Sequence, residues 1–259
     1  MILACRNPVK AAQAAADIKN ETGNENILSM KVDTASLATV RQFAEDYARS
    51  GLGKVYALLL NAGINGMNSG LTEDGMEIVF QTNHLGHFLL TNLMLPYMEE
   101  KGKIFATSSD MHDSPMGKME WRGTETLAHP SEEGKQSRMR YSYSKLCNLY
   151  FVYELTRRLE AEKSDIRVNA FNPGFMLTNF VPVDKARAQV VKFAMPKRCG
   201  DLKKSSDAYA ELVVNDELAV TSSNYYDRSI HAIKSSNLSY GEENAKELWE
   251  ASEKLCGLR

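Results

Sequence analysis

The stretch VYALLLNAG, residues 55–63, begins with six apolar residues and ends with an asparagine, an alanine and a glycine. Continuous apolar runs of this length are typical of parallel strands covered by helices on both faces, whereas a strand with one wet face alternates polar and apolar residues. Because turn-forming residues follow at once, we predict a buried parallel strand over residues 55–60 with a loop after it.

Similar short runs recur on both sides of this stretch and alternate with longer amphipathic segments. Further strands are predicted over residues 1–5, 27–32, 103–107 and 166–171, with a sixth near 219–226. Helices are predicted over residues 8–21, 36–50, 75–100 and 141–163. Asn7 and Pro8 fit the cap and the first position of the first helix. Strands that alternate with helices indicate an α/β fold with a doubly wound parallel sheet.

The composition fits one large globular domain. The chain has 259 residues, 43% hydrophobic and 25% charged, which indicates a sizeable core and argues against disorder. A formal net charge of −2 gives no electrostatic reason to expect nucleic acid as a partner. The apolar stretch at the N-terminus is too short for a signal peptide or a membrane span, so we expect a cytoplasmic protein without a membrane span.

The cysteine and histidine positions predict no metal site. The four cysteines lie far apart without metal-ligand spacing, which is typical of reduced thiols in a reducing compartment. His84 and His87 lie three residues apart on a predicted helix, and we interpret them as packing residues. Cys147 could approach a substrate, but a small buried thiol is the favoured interpretation.

The segment YSYSK, residues 141–145, places Tyr141 and Lys145 four residues apart and so on one face of the predicted helix. A neighbouring ammonium stabilises phenolate, so we expect Lys145 to lower the pKa of Tyr141 toward neutrality, as acid/base work at a carbonyl requires. Tyr143 is only two residues from Lys145 and cannot share that face.

Two serines follow the predicted strand over residues 103–107. Ser108 and Ser109 lie where the strand ends, and wound parallel sheets bind ligands at the carboxyl ends of their strands. A serine after a strand is otherwise a common turn former.

Five short signatures in this order resemble the short-chain dehydrogenase/reductase family. They are NAG at 61–63, QTNHLGHF at 81–88, ATSS at 106–109, YSYSK at 141–145, and NPG at 172–174 with Thr178 four residues on. The resemblance covers nearly all of the chain. NHLGHF at 83–88, SKLCN at 144–148 and the segment before Tyr141 suggest the retinol dehydrogenase-like and protochlorophyllide reductase-like branch.

The resemblance implies a single NAD(P)-binding domain of Rossmann type over residues 1–259. This domain has an insertion at 110–140 and a substrate flap near 175–206. The implied activity interconverts a carbonyl and an alcohol, or reduces a related double bond, by hydride transfer.

Four side chains would carry the chemistry that the resemblance implies. Tyr141 would be the acid/base, and Ser109 would hydrogen-bond the reacting oxygen, with Ser108 as the alternative. Lys145 would lower the pKa of Tyr141 and hold the nicotinamide ribose. Asn83 would support a water-linked proton path to Lys145, unless it is simply a buried asparagine with its hydrogen bonds satisfied.

On the adenosine side, Asn61, Ala62 and Gly63 would let the backbone approach the cofactor. Asp33 would contact the adenine, unless it caps a helix. Arg6 follows the first strand, where an arginine accommodates a 2′-phosphate, so NADP(H) is favoured over NAD(H) and no metal is expected.

On the nicotinamide side, Pro173, Gly174 and Thr178 would flank the ring, together with Tyr141 and Lys145. Apolar and aromatic side chains nearby suggest a small hydrophobic carbonyl or alcohol as substrate, although such residues also pack: Met111, Met116, Met119, Trp121, Phe175, Met176 and Phe180. Retinoid-like, steroid-like, tetrapyrrole and xenobiotic carbonyls all fit this description of the substrate. The sequence is also compatible with a homo-oligomer.

The chain departs from the family pattern at its start, because its first residues match the second strand of the family. We therefore expect an N-terminally truncated sheet with the first strand, the TGxxxGxG-type loop and the first helix absent, from an incomplete gene model or in a degenerate homologue. In a 3-2-1-4-5-6 strand order the absent strand separates two sheet fragments, whose facing edges would be unpaired. An enzyme and a cofactor-deficient, non-catalytic binding protein both fit; the retained serine, tyrosine, lysine and asparagine favour the enzyme.

Overall fold

The computed structural model of the chain describes residues 1–176 and 199–259. Strands in these residues are β1 Ile2–Cys5, β2 Leu28–Lys31, β3 Val55–Leu60, β4 Met98–Thr107, β5 Arg167–Asn172, β6 Tyr225–Asp227 and β7 Ala232–Ile233. The α-helices are α1 Pro8–Thr22, α2 Leu37–Ser50, α3 Ile78–Phe80, α4 Gly86–Met94, α5 Thr124–Ala128, α6 Glu132–Gln136, α7 Arg140–Ala161, α8 Leu202–Val214 and α9 Glu242–Leu255.

The strands form two separate sheets within the described part of the chain. β1 and β2 make a parallel pair, and β3-β4-β5-β6 make a parallel sheet to which β7 adds an antiparallel edge. The division confirms the expected two fragments of an α/β sheet. β3 is an edge strand of the larger sheet, and Leu59 on it is 44% exposed.

One hydrophobic core nevertheless connects the two sheets. Val32, which follows β2, and Leu60 at the end of β3 belong to the same buried cluster as Val40 of α2 and Leu89 of α4. Asn7 caps α1 by accepting a hydrogen bond from Lys10 N, as the sequence predicted, and Ser36, at the predicted start of the second helix, caps α2 by accepting from Thr39 N.

The predicted helix over residues 75–100 is wrong at both ends and in its regularity. It is divided into α3, a π-helical turn Gln81–Leu85, α4 and a 3-10 turn Leu95–Tyr97. β4 begins at Met98, which pairs with Val55 of β3. Pro96 has no N–H to continue the helical ladder, and strand pairing takes over two residues later.

The predicted sixth strand is shorter than expected, because Ala219 and Ser223 have positive φ angles of 50° and 62°. Backbone in this left-handed region cannot continue a strand, so β6 spans only Tyr225–Asp227. The sequence analysis did not predict β7 or α9. The predicted helix over 141–163 is confirmed as α7, which packs against β4, β5 and α9.

Lys103 of β4 is a buried lysine that ties α8 to the sheet. Its side chain is 4% exposed, and its Nζ donates hydrogen bonds of 2.8–3.2 Å to the carbonyls of Leu212, Val213, Asn215 and Leu218. These carbonyls lie at and beyond the C-terminal end of α8, where the helix dipole attracts a cation. Burial lowers the pKa of Lys103, and Asp216 opposes that shift.

We predict that Lys103→Met lowers the free energy of unfolding by about 2–4 kcal/mol, because it leaves several buried carbonyls without a donor. Lys101→Met is the matched control on the same strand, where the lysine is exposed; it should change stability by less than about 0.5 kcal/mol. Urea unfolding followed by circular dichroism measures both. Equal effects of the two substitutions would contradict this role for Lys103.

Candidate active site

The candidate site forms where the ends of β3, β4 and β5 meet the N-terminal half of α7. The Thr107 carbonyl at the end of β4 accepts hydrogen bonds from Lys145 Nζ at 2.8 Å and from Asn148 Nδ2 at 3.0 Å. Ser108 Oγ donates in the opposite direction, to the Lys145 carbonyl at 3.0 Å. These bonds lock the end of β4 to α7.

Tyr141 lies in the first turn of α7, beside Ser109. Burial raises the pKa of Tyr141 to about 12, a hydrogen bond with the Ser109 side chain lowers it, and the negative charge of Asp110 raises it. The sequence predicted a pKa shifted toward neutrality, and this structure shows the opposite direction. Lys145 Nζ lies 5.6 Å from the centroid of the Tyr141 ring, and burial is the largest of the effects on the Tyr141 pKa.

Lys145 is 3% exposed, and burial lowers its pKa to about 8. An ammonium carries three N–H donors, and one of those of Lys145 is used on the Thr107 carbonyl. The other N–H groups could donate to the hydroxyls of a ligand. This property fits the ribose of a nicotinamide cofactor.

Asn83 lies in the π-helical turn and clamps the loop that follows β3. Its Oδ1 accepts from Ile64 N at 2.7 Å, and its Nδ2 donates to Ile64 O and to Ser144 Oγ, both at 2.9 Å. π-turns of this kind recur at functional sites because they redirect a side chain within a helix. The amide is thus satisfied, and it holds Gly63 beside Lys145.

Two alternatives raised by the sequence are oriented away from the site. Ser108 is buried and bonded to the Lys145 carbonyl, whereas Ser109 contacts Tyr141. The Tyr143 hydroxyl donates to Glu120 O at 3.0 Å, on another face of α7. The geometry therefore brings Ser109, Tyr141 and Lys145 together.

The residues predicted for the adenosine side follow the ends of β1, β2 and β3. Arg6 is exposed just after β1. Asp33 Oδ1 accepts from Ala35 N at 3.0 Å, so the carboxylate shapes the turn before α2, and Ser36 is the cap. Asn61 Oδ1 accepts from Thr107 Oγ1 at 3.0 Å, which ties the loop with Ala62 and Gly63 to β4.

Pro173 and Gly174 follow β5. Gly174 has a φ of 82°, which favours glycine, and its N–H donates to Asn172 Oδ1 at 2.9 Å. A side chain there would also collide with Arg228. The predicted Thr178 and most of the predicted flap lie outside the described residues.

An ion pair that the sequence analysis missed lies beside Gly174. Arg228 donates to Asp227 through Nε at 2.8 Å and Nη2 at 2.5 Å, and Asn172 Nδ2 donates to Asp227 Oδ1 at 2.8 Å. These residues are more than 50 positions from Asn172 in sequence, so no local spacing reveals the pair. The available signal was a polar pair at the end of a predicted strand.

Several substrate-lining candidates have other contacts. Trp121 packs on Tyr150 and donates to Glu247 Oε2, while Met119 packs against the core. His84, which the sequence analysis interpreted as a packing residue, contacts the rings of Phe80, Phe88 and Phe151 at tilted or edge-on angles. Cys147 is fully buried.

Residues 1–176 and 199–259 contain no group of three or more His, Cys, Asp or Glu side chains placed to hold a metal ion. Over the same residues, no helix combines the length and apolar character needed to cross a bilayer.

Comparisons with known proteins agree with the geometry. Residues 1–120 match the family model for "short chain dehydrogenase". Human retinol dehydrogenase 13 is 32% identical over 267 residues, an alignment that covers 100% of this chain and 77% of that protein.

Solved structures give the same fold. A putative uncharacterized protein from Mycobacterium paratuberculosis has a TM-score of 0.69 at 28% identity, covering 99% of this chain and 83% of that one. A blue fluorescent protein from a metagenomic library, solved with NADPH, has a TM-score of 0.63 at 22% identity, covering 86% and 81%.

The close approach of α4 to the loop after β2 gives a prediction for this site. A Cβ on Gly86 would fall inside the contact distance of the Thr34 carbonyl oxygen, next to Asp33. Alanine normally favours a helix over glycine, but here we expect Gly86→Ala to cost about 1–3 kcal/mol because backbone must move. Gly86→Ser should cost more. Thermal melts of the three proteins check the order, and a stabilised Gly86→Ala variant would contradict the contact.

Proposed function

Because the chain belongs to the short-chain dehydrogenase/reductase family, in its retinol dehydrogenase-like branch, we propose that it interconverts a hydrophobic carbonyl and its alcohol with NADP(H). The observation that carries the proposal is the cluster of Tyr141, Ser109 and Lys145 at the carboxyl ends of the strands. A tyrosine hydroxyl beside a serine hydroxyl and a buried ammonium suits proton exchange with an oxygen whose charge changes.

In this proposal the chain's own residues bind and move a proton. NADP(H), when bound, supplies or accepts the hydride. Ser109 and the Tyr141 hydroxyl hold the substrate oxygen, and Tyr141 gives it a proton in the reductive direction or removes one in the oxidative direction. Lys145 stabilises the tyrosinate by its charge and holds the nicotinamide ribose. Asn83 keeps the loop with Gly63 beside Lys145, and its amide is satisfied by Ile64 and Ser144, so its proposed role is to position this loop.

The cofactor preference rests on Arg6. It is exposed directly after β1, and an arginine after this strand suits a 2′-phosphate, whereas an acidic residue suits the free hydroxyl. Asp33 at the end of β2 and the loop of Asn61, Ala62 and Gly63 are the proposed adenosine contacts. Pro173 and Gly174 are the proposed nicotinamide contacts, with Thr178 as a further one by sequence.

A retinoid-like aldehyde or alcohol is the proposed substrate class. Support comes from retinol dehydrogenase 13, which matches the whole chain. The four cysteines are free thiols, which supports the cytosol as the compartment. A non-catalytic binding protein is not favoured, because such a protein has no physical need for a serine, tyrosine and lysine gathered at one point.

We predict that Tyr141→Phe reduces the turnover of all-trans-retinal with NADPH by about a hundredfold or more, because the ring remains and the proton donor is removed. The dissociation constant of NADPH, measured by fluorescence, should change little. Steady-state kinetics measures the turnover.

Tyr143→Phe is the matched control for that substitution, since its hydroxyl bonds Glu120 O on another face of the same helix. It should retain nearly full turnover. Equal losses from the two substitutions would refute the assignment of Tyr141.

We also predict that Arg6→Ala weakens NADPH binding by about tenfold or more and leaves NADH binding nearly unchanged. Only NADPH offers the 2′-phosphate, with which an arginine forms a charge-assisted bond. Lys10→Ala, also exposed and near the start of α1, is the control for a general loss of positive charge. Titrations with both cofactors measure the effect; equal affinities of the unmodified protein for NADPH and NADH would count against Arg6.

A further inference from the structure

His112 is a buried histidine that the proposed reaction does not use. It ends the 3-10 turn Asp110–His112, which begins immediately after Ser109, and it is 4% exposed. Its Nδ1 lies 2.6 Å from the Ser109 carbonyl oxygen, and its Nε2 lies 2.9 Å from the Ser236 amide nitrogen. The ring therefore connects two segments separated by more than 120 residues in sequence.

The two partners determine the protonation of the ring. A carbonyl oxygen can only accept a hydrogen bond, so Nδ1 must carry the proton. A backbone N–H can only donate, so Nε2 must be the acceptor and cannot carry a proton. His112 is therefore neutral, with the proton on Nδ1. In a charged ring Nε2 would also carry a proton, and its N–H would face the N–H of Ser236.

The surroundings of the ring support the neutral form. Burial lowers the pKa of His112, while the Ser109 carbonyl and the carboxylates of Asp113, Asp110 and Asp227 act in the opposite direction. The Tyr225 ring packs edge-on against the imidazole, with ring centroids 5.1 Å apart. The ring is thus fixed by packing as well as by its two hydrogen bonds.

Ser236 is itself fastened to α7, the helix that carries Tyr141. Next to it, Ser235 Oγ lies 2.7 Å from the Tyr153 hydroxyl, and the Tyr150 hydroxyl donates to Leu238 O at 2.9 Å. Tyr150 and Tyr153 both belong to α7. The contacts therefore form a closed path. Ser109 contacts His112, His112 contacts Ser236, and residues 235–238 contact α7. The same helix carries Tyr141, which contacts Ser109.

We propose that His112 is a positioning residue that holds the Ser109 hydroxyl at the distance from Tyr141 that substrate binding requires. The Ser109 carbonyl accepts from both the backbone N–H of His112, at 3.1 Å, and its ring Nδ1. These two bonds fix the backbone of Ser109 and hence the direction of its side chain. The Ser109 Oγ also accepts from Met111 N at 3.2 Å, within the same turn.

The inference rests on the proposed function, because it concerns the serine that would hold the substrate oxygen. A small displacement of such a group matters, since an error of about 1 Å in a reacting geometry can cost about a hundredfold in rate. The effect should appear in kcat more than in KM, because most contacts that bind a hydrophobic substrate do not involve Ser109.

Three substitutions of His112 remove one end of the bridge or both. His112→Asn can retain a donor near the place of Nδ1, His112→Gln can retain an acceptor near the place of Nε2, and His112→Phe retains neither. Because the bridge needs both ends, we expect all three to lower kcat for all-trans-retinal with NADPH, about tenfold to a hundredfold for His112→Phe, with KM within about threefold. His129→Phe, an exposed histidine of the insertion, should leave kcat unchanged.

A double-mutant cycle with Ser109→Ala distinguishes positioning from a general loss of stability. If His112 acts through the Ser109 hydroxyl, the double variant should be no slower than Ser109→Ala alone, because the group being positioned is already gone. Multiplicative losses of kcat would show that the two residues act independently and would overturn the proposal. So would a full kcat in His112→Phe.

Two readouts test the proposal without turnover. The nitrogen resonances of the His112 ring at neutral pH should identify a neutral ring with the proton on Nδ1; a charged ring, or a proton on Nε2, would overturn it. The Tyr141 ring-carbon resonance next to the hydroxyl, assigned with Tyr141→Phe, should move in His112→Phe toward its position in Ser109→Ala. An unmoved resonance would overturn the proposal. If the unmodified protein does not turn over retinal, the proposed substrate class fails, while these two spectra still decide the role of His112.

Discussion

The structure depends on the exchange of hydrogen bonds between the end of β4 and the first turns of α7. The Thr107 carbonyl receives Lys145 and Asn148, while the Ser108 hydroxyl reaches the Lys145 carbonyl. These bonds fix the position of α7 along β4, because a shift of the helix by one turn would leave the buried Lys145 ammonium without an acceptor. Ser109 and Tyr141 are in contact only because this position is fixed.

Burial shapes the electrostatics of the site. It raises the pKa of Tyr141 to about 12 and lowers the pKa of Lys145 to about 8, so each side chain is pushed toward its neutral form. At neutral pH these shifts keep the Tyr141 hydroxyl protonated and make the Lys145 ammonium easier to deprotonate than a solvated lysine. Ser109 opposes the effect on Tyr141, since its hydrogen bond lowers the pKa of the phenol. The position of one serine hydroxyl therefore influences the acidity of Tyr141, and in the proposed reaction the same hydroxyl would hold the substrate oxygen.

Much of the fold could be predicted from local sequence. The apolar run at 55–60 is β3 with its predicted bounds, and Asn7 and Ser36 cap the helices where a short polar side chain precedes an amphipathic pattern. The helix over 75–100 was wrong where a long-range contact competed with helix propensity. Met98 could become part of a strand only by pairing with Val55, and no local pattern reports the position of that partner.

The sequence by itself determined the alternation of strands and helices, the shared face of Tyr141 and Lys145, and the exclusion of Tyr143 from that face. Each of these follows from a pattern within one element. In a helix the side chains repeat every 3.6 residues, and a buried parallel strand is a continuous apolar run. Only the tertiary structure decided between Ser108 and Ser109, the direction of the Tyr141 pKa shift and the bridge of His112 to Ser236. These three depend on burial and on partners far away in sequence, and neither is encoded in the spacing of neighbouring residues.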